Sequence, residues 1–286
     1  MRAVFVVLVA AAGLQIGCLL TTVGTIVRGE RPAPISAAHL PPSGATAEGD
    51  LAASPRRGEF VDVPVPGSDV PVRTWVVRPE RSPAPVVVVV HDLYRVGNWV
   101  RSIADALAAE GFLAVAPDLP SGLTPEGSIL GGEDGLVPAV AMIGPGTRTR
   151  RLDAVRSWAL DLPAAGGSLG VVGFSWGGSA GFAYAVEQPA LDALVVFYGD
   201  APHVESDYER IEAPVLGLYG GELETAETLP RAREAMAAAG KSFEGIVYDG
   251  ATVFLKAQTG LDANRRATED AWPRTLAFLR EHLGNQ

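Results

Sequence analysis

The run Gly173-Phe174-Ser175-Trp176-Gly177-Gly178 constrains this chain more than any other stretch. Before it lies Leu169-Gly170-Val171-Val172-Gly173-Phe174, apolar as a strand buried on both faces should be. After it lies Ser179-Ala180-Gly181-Phe182-Ala183-Tyr184-Ala185-Val186, small and apolar at helical spacing. A strand that turns at once into a helix needs glycine on both sides of the turn. Gly173 and Gly177 leave room for neighbouring backbone, and Ser175 is thrust out at the tip, the pattern of a nucleophile elbow. An ordinary Gly-rich strand-to-helix turn is the plainer alternative.

The flanking sequence alternates strands and helices from Glu59 onward. Residues 60–65 and 72–77 alternate apolar and polar and suit an opening antiparallel pair. Pro85-Val86-Val87-Val88-Val89-Val90 is continuously apolar, a central strand. Helices are expected over 99–109, 150–162, 229–239 and about 268–283, with further strands over 112–116, 193–198, 214–219 and 243–248. Such alternation implies an α/β fold, a doubly wound and mostly parallel sheet flanked by helices. Ligands then bind beyond the carboxyl ends of the strands, where Ser175 lies. The Gly/Pro-rich loop 120–146 is expected to roof that end.

Composition excludes several classes. Net charge is −10 with scattered arginines, so a nucleic-acid partner is not expected. Cys18 is the single cysteine, and the four histidines (His39, His91, His203, His282) have no metal-ligand spacing. No phosphate-binding glycine motif occurs, so neither metal nor cofactor is expected.

Residues 3–27 carry no charge. As a helix they would span about 37 Å, against roughly 30 Å of hydrocarbon. Three readings stay open for residues 1–27: an uncleaved membrane anchor, a cleaved signal, or a lipoprotein signal ending at Gly17-Cys18. All three imply an extracytoplasmic placement, with the membrane as a partner of this segment. Residues 28–57, rich in Pro, Ala, Gly and Ser, are expected to be a disordered linker, leaving 58–286 as the globular domain.

From Glu59 to Leu283 the chain resembles the dienelactone hydrolase family of the α/β-hydrolase fold. The likeness rests on Val87-Val88-Val89-Val90-His91-Asp92, Ala108-Ala109-Glu110-Gly111-Phe112, Ala116-Pro117-Asp118-Leu119, the elbow itself, Pro214-Val215-Leu216-Gly217-Leu218-Tyr219-Gly220-Gly221 and Ala271-Trp272-Pro273-Arg274-Thr275. The resemblance implies hydrolysis of a lactone or other carboxylic ester through an acyl-enzyme. It also implies three departures. The nucleophile, usually cysteine, is Ser175. The acid position is held by Leu223, with Glu222 or Glu224 as neighbours that could reach over. The histidine expected near Thr252-Val253 is missing.

His203, with Asp200 to orient it, is the candidate substitute base, against the alternative of a solvated loop histidine. His91 is expected to pack beneath the site with a structural hydrogen bond. Asp92 stands where the resemblance places a glutamate touching the nucleophile, and a turn-capping role is its alternative. The oxyanion donors would be the backbone N–H groups of Leu93 and Trp176. Lys256 lies close to a basic residue that the family uses for substrate carboxylates, and a salt-bridging lysine is the alternative. Two functions remain open: ester hydrolysis through Ser175, or an impaired pseudo-enzyme that binds a small carbonyl or carboxylate ligand or a protein partner.

Overall fold

The computed structural model describes residues 40–123, 140 and 143–284. Its strands are β1 (Glu59–Val65), β2 (Ser68–Val77), β3 (Ala84–Val90), β4 (Leu113–Pro117), β5 (Ala165–Phe174), β6 (Ala193–Phe197), β7 (Val215–Gly220) and β8 (Phe243–Tyr248). They form one sheet in the order β1-β2-β4-β3-β5-β6-β7-β8. The first three neighbours in that order pair antiparallel, and every later pair is parallel. This is the mixed, mostly parallel sheet of an α/β-hydrolase-type fold.

The helices are α1 (Ala47–Ala53), α2 (Asn98–Ala109), α3 (Pro145–Leu160), α4 (Trp176–Glu187), α5 (Glu205–Arg210), α6 (Leu229–Ala238) and α7 (Asp262–Leu283). The valine run of β3 shows why the helices divide between two faces. Val86, Val88 and Val90 pack with Leu152 and Val155 of α3, Ala180 and Phe182 of α4 and Met236 of α6. Val87 and Val89 point the other way, to Ile103 and Leu107 of α2 and Ala271 and Leu279 of α7. A strand alternates its side chains with period two, so an unbroken apolar run feeds both layers.

Two elements differ from the expected pattern. The last helix begins at Asp262, ahead of the expected start near 268, and Pro273 sits inside it as expected. Proline costs a helix one hydrogen bond, so the turn before it is a natural place to stop. Here Asn264, Ala267, Thr268, Ala271 and Trp272 are all buried, and that packing carries the helix across the break.

The expected linker is the second difference. Residues 40–57 include α1 and dock on the domain: Pro41, Ser43 and Ala47 are buried, and Arg56 donates to Asp105 on α2 at 3.0 and 3.2 Å. No periodicity announced this, because the segment is fixed by single hydrogen bonds rather than by an apolar stripe. Residues 1–27 and the linker up to residue 39 lie outside the described residues. The expected membrane-anchored or lipoprotein placement, with the membrane as partner and an extracytoplasmic location, is corrected here. Among the described residues no helix is long and apolar enough to cross a membrane.

Candidate active site

Ser175 stands between β5 and α4 with φ 52° and ψ −119°. A left-handed φ is strained for a residue with a side chain, and it lifts Ser175 out of both flanking elements. The turn survives because its surroundings leave no alternative. Ser175 N–H donates to Phe197 O on β6 at 2.9 Å, and Gly178 N–H closes the turn on Ser175 O at 2.8 Å. A Cβ on Gly173 would lie 2.2 Å from Gly177 O, and one on Gly177 would lie 2.3 Å from Val90 O and 2.4 Å from His91 O. Gly178 and Gly199 press together in the same way, so α4 can approach the end of β6.

Three non-glycine residues have φ in the left-handed region among the described residues: Arg95, Ser175 and Tyr198. They follow β3, β5 and β6, so the strain gathers at one edge of the sheet. The Ser175 hydroxyl makes no hydrogen bond to another of the described residues.

The loop after β3 abuts the elbow. His91 is fully buried and stacks on Trp176, ring centres 5.6 Å apart. Its Nδ1–H donates to Asp92 O at 2.6 Å, while Nε2 accepts the Leu119 N–H at 3.2 Å. Burial lowers its pKa below the usual imidazole value, against the raising effect of the Asp92 carbonyl. The ring is therefore neutral, with both nitrogens committed to backbone, and it has no lone pair left for Ser175.

Asp92 is also buried. Its Oδ1 accepts the Tyr94 N–H at 2.8 Å, and its Oδ2 receives the Lys256 ammonium at 2.6 Å. Asp92 thus caps its own turn, and Lys256 is the salt-bridging lysine. Arg95 forks onto Asp118 at 2.9 and 2.6 Å. Neither Leu93 N–H nor Trp176 N–H donates to a protein acceptor among the described residues. For Trp176 this follows from its place as first residue of α4, where no carbonyl a turn earlier is available.

The remaining candidates lie elsewhere. His203 is exposed, in a groove of about 340 Å³ shared with Arg148, Ser179 and Asp200, and no hydrogen bond or ion pair joins it to Ser175. Asp200 N–H donates to Ser179 Oγ at 2.9 Å. Glu222 is exposed, its N–H given to Ala251 O at 3.0 Å, and Glu224 starts an exposed 3-10 turn. Leu223 packs on the α2–α7 side of the core. Thr252 N–H donates to Asn264 Oδ1 at 2.8 Å, and Val253 is partly exposed. Sequence reasoning missed the Arg95–Asp118 fork, the Lys256–Asp92 pair and the docking of residues 41–47. Each joins residues far apart in the chain, with no local pattern to mark it.

The dienelactone hydrolase family model matches residues 72–283. The chain belongs to the dienelactone hydrolase family. A protein of Escherichia coli (strain K12) named "Putative carboxymethylenebutenolidase" is 32% identical over 249 residues, 79% of this chain and 88% of its own length. Among solved structures, a Klebsiella pneumoniae protein named "Putative Dienelactone Hydrolase" aligns at TM-score 0.65 and 26% identity, covering 80% of this chain and all of that one. The dienelactone hydrolase from Anabaena variabilis aligns at TM-score 0.62 over the same shares; at 21% identity it speaks for the fold alone. Membership of this family supports a hydrolase-type activity.

Proposed function

We propose that the protein hydrolyses a carboxylic ester or lactone through an acyl-enzyme on Ser175. One observation carries the reading: Ser175 is held at φ 52° and ψ −119° by backbone contacts that only glycines permit, and the Leu93 and Trp176 N–H groups have no protein acceptor among the described residues. Strain of this kind costs about 1–3 kcal/mol and persists where the surroundings over-determine it, most often at functional sites.

In the acylation step Ser175 Oγ bonds to the carbonyl carbon and gives up its proton. The carbonyl oxygen, now negative, lies against Leu93 N–H and Trp176 N–H. The C–O bond to the alcohol breaks as the alcohol takes a proton, and water then releases the acid from Ser175. His91 is committed to backbone, so His203 beside Asp200 is the histidine assigned to accept the proton, with Glu222 as the candidate acid. Replacing Ser175 by alanine should abolish labelling by a serine-directed fluorophosphonate across about pH 6 to 9, where a general base is poised. No Ser175-dependent labelling in the parent would refute the reading. His203→Ala should slow p-nitrophenyl ester turnover about 100-fold, a usual general-base contribution, and unchanged turnover removes His203 from the mechanism.

A second reading is favoured by a specific observation. Leu223 packs, partly buried, against the core and Thr252 is tied to Asn264, at the two places where the family resemblance expects acid and base. On that reading the site is an impaired pseudo-enzyme that binds a small carbonyl or carboxylate ligand, or a protein partner. Donors alone leave roughly 10³- to 10⁴-fold acceleration over water. The labelling experiment separates the two.

A further inference from the structure

The loop Asp92-Leu93-Tyr94-Arg95 carries one of the two amide donors, and it is tied down at both ends. On one side Arg95 forks onto Asp118 at the end of β4. On the other, Asp92 bridges the Tyr94 N–H and the Lys256 ammonium, one carboxylate oxygen to each. Leu93 itself is 40% exposed.

Lys256 is in turn placed from several sides. Its ammonium lies 4.4 Å from the Tyr94 ring centre and 5.1 Å from that of Trp99, an arrangement that favours a cation. Its carbonyl accepts the Gly44 N–H at 2.8 Å, and Gly44 runs so close that a Cβ there would meet the lysine stem at 3.3 Å. Pro41 O accepts from Gln258 at 2.7 Å, and Pro42 O from Trp99 at 3.1 Å. Residues 41–47 lie outside the 72–283 matched by the family model, yet they bind Lys256 itself, Gln258 and Trp99.

We propose that Lys256, seated by the N-terminal strap of residues 41–47, is a positioning residue that holds Asp92 and through it aims the Leu93 amide at the oxygen of the reacting carbonyl. This rests on the ester-hydrolase reading. The ammonium performs no proton transfer. Its work is to keep the Asp92 carboxylate in the one orientation that also caps Tyr94. The arrangement explains why a lysine beside the site is spent on a carboxylate of its own chain.

The test uses the full chain with Lys256→Met and Lys256→Arg, and two readouts. Amide hydrogen exchange reports the Tyr94 N–H directly. Loss of a charge-assisted tie should speed its exchange roughly tenfold in Lys256→Met, and Lys256→Arg should restore protection. The rate of fluorophosphonate labelling at Ser175 reports the donor's aim. It should fall roughly tenfold in Lys256→Met, less than the 10²- to 10³-fold loss on deleting an oxyanion donor outright, and recover in Lys256→Arg. With p-nitrophenyl acetate the loss should appear in kcat rather than KM. Unchanged Tyr94 exchange in Lys256→Met overturns the proposal. Faster exchange with unaltered labelling overturns its link to the amide donor. Should the parent itself not label, the hydrolase reading fails, while the exchange comparison still decides whether Lys256 holds the loop.

Discussion

At the end of β5 the chain turns to present a serine with no side-chain partner among the described residues, whereas the turns after β7 and β8 present side chains tied into packing and hydrogen bonds. Both turns lie at the carboxyl edge of one sheet, and both use glycines for close approach. A Cβ on Gly177 would strike Val90 O, and one on Gly220 would strike Thr252 O at 2.2 Å. What differs is the cargo. The β5 turn presents a strained serine whose hydroxyl has no hydrogen-bond partner among the described residues. The turns after β7 and β8 present Leu223, packed on the core, and Thr252, tied to Asn264. Parts of a site made from amide groups and glycines persist whatever the side chains do. Parts made from a titratable side chain vanish with a single substitution.

The comparison can be broken or sharpened by substitution. The largest effect is expected at Gly177→Ala, which must displace Val90 O and His91 O. Chemical denaturation should show a loss of about 3 kcal/mol, the upper range for overpacking. A loss under about 1 kcal/mol would mean the elbow is looser than its contacts indicate.

Asn264 joins the Thr252 N–H, the Thr252 hydroxyl and Ala257 O. Asn264→Ala should cost about 1–3 kcal/mol by leaving these groups without partners. Labelling at Ser175 should nonetheless be unaltered, because the two turns are built independently. A labelling defect would contradict that independence.

His91 gives a smaller, pH-dependent effect. Its folded-state pKa is lowered, so the unfolded chain binds its proton first. Stability from this residue is complete above the unfolded value of about 6.5 and is lost as pH falls toward the folded one, no steeper than about 1.4 kcal/mol per pH unit. His91→Gln should flatten that part of a melting-temperature profile between about pH 5 and 7. An equal slope in parent and variant would assign it to other groups. The smallest effect is expected at Gly49→Ala in α1, where an added Cβ meets nothing within 4 Å. It should stabilise by about 0.5–1 kcal/mol if α1 is a docked helix in solution.

Much of the fold was legible in the chain. The valine run of β3, the apolar approach to Ser175 and the antiparallel opening pair follow from side-chain period alone, and each is present. The elbow was legible because glycine spacing is a local signal. What could not be read depends on distant partners. Residues 40–57 looked like linker because Gly44 meets Lys256 and Arg56 meets Asp105 across long sequence separations. The resemblance marks Asp92 and its own position suggests a turn cap, but nothing in sequence assigns its second oxygen to Lys256. The first turn of α7 lies ahead of the expected start near 268, and only the folded neighbours supply its burial.

The most direct measurement is the intact mass of the protein during reaction with p-nitrophenyl acetate. A serine that is well placed while its base is remote should be acylated and then released slowly. One acetyl group per chain, mapped to Ser175 and missing in Ser175→Ala, is the expected result. Release of p-nitrophenol with no acetyl on Ser175, or none above the rate of the alanine variant, would contradict a nucleophilic role for that serine.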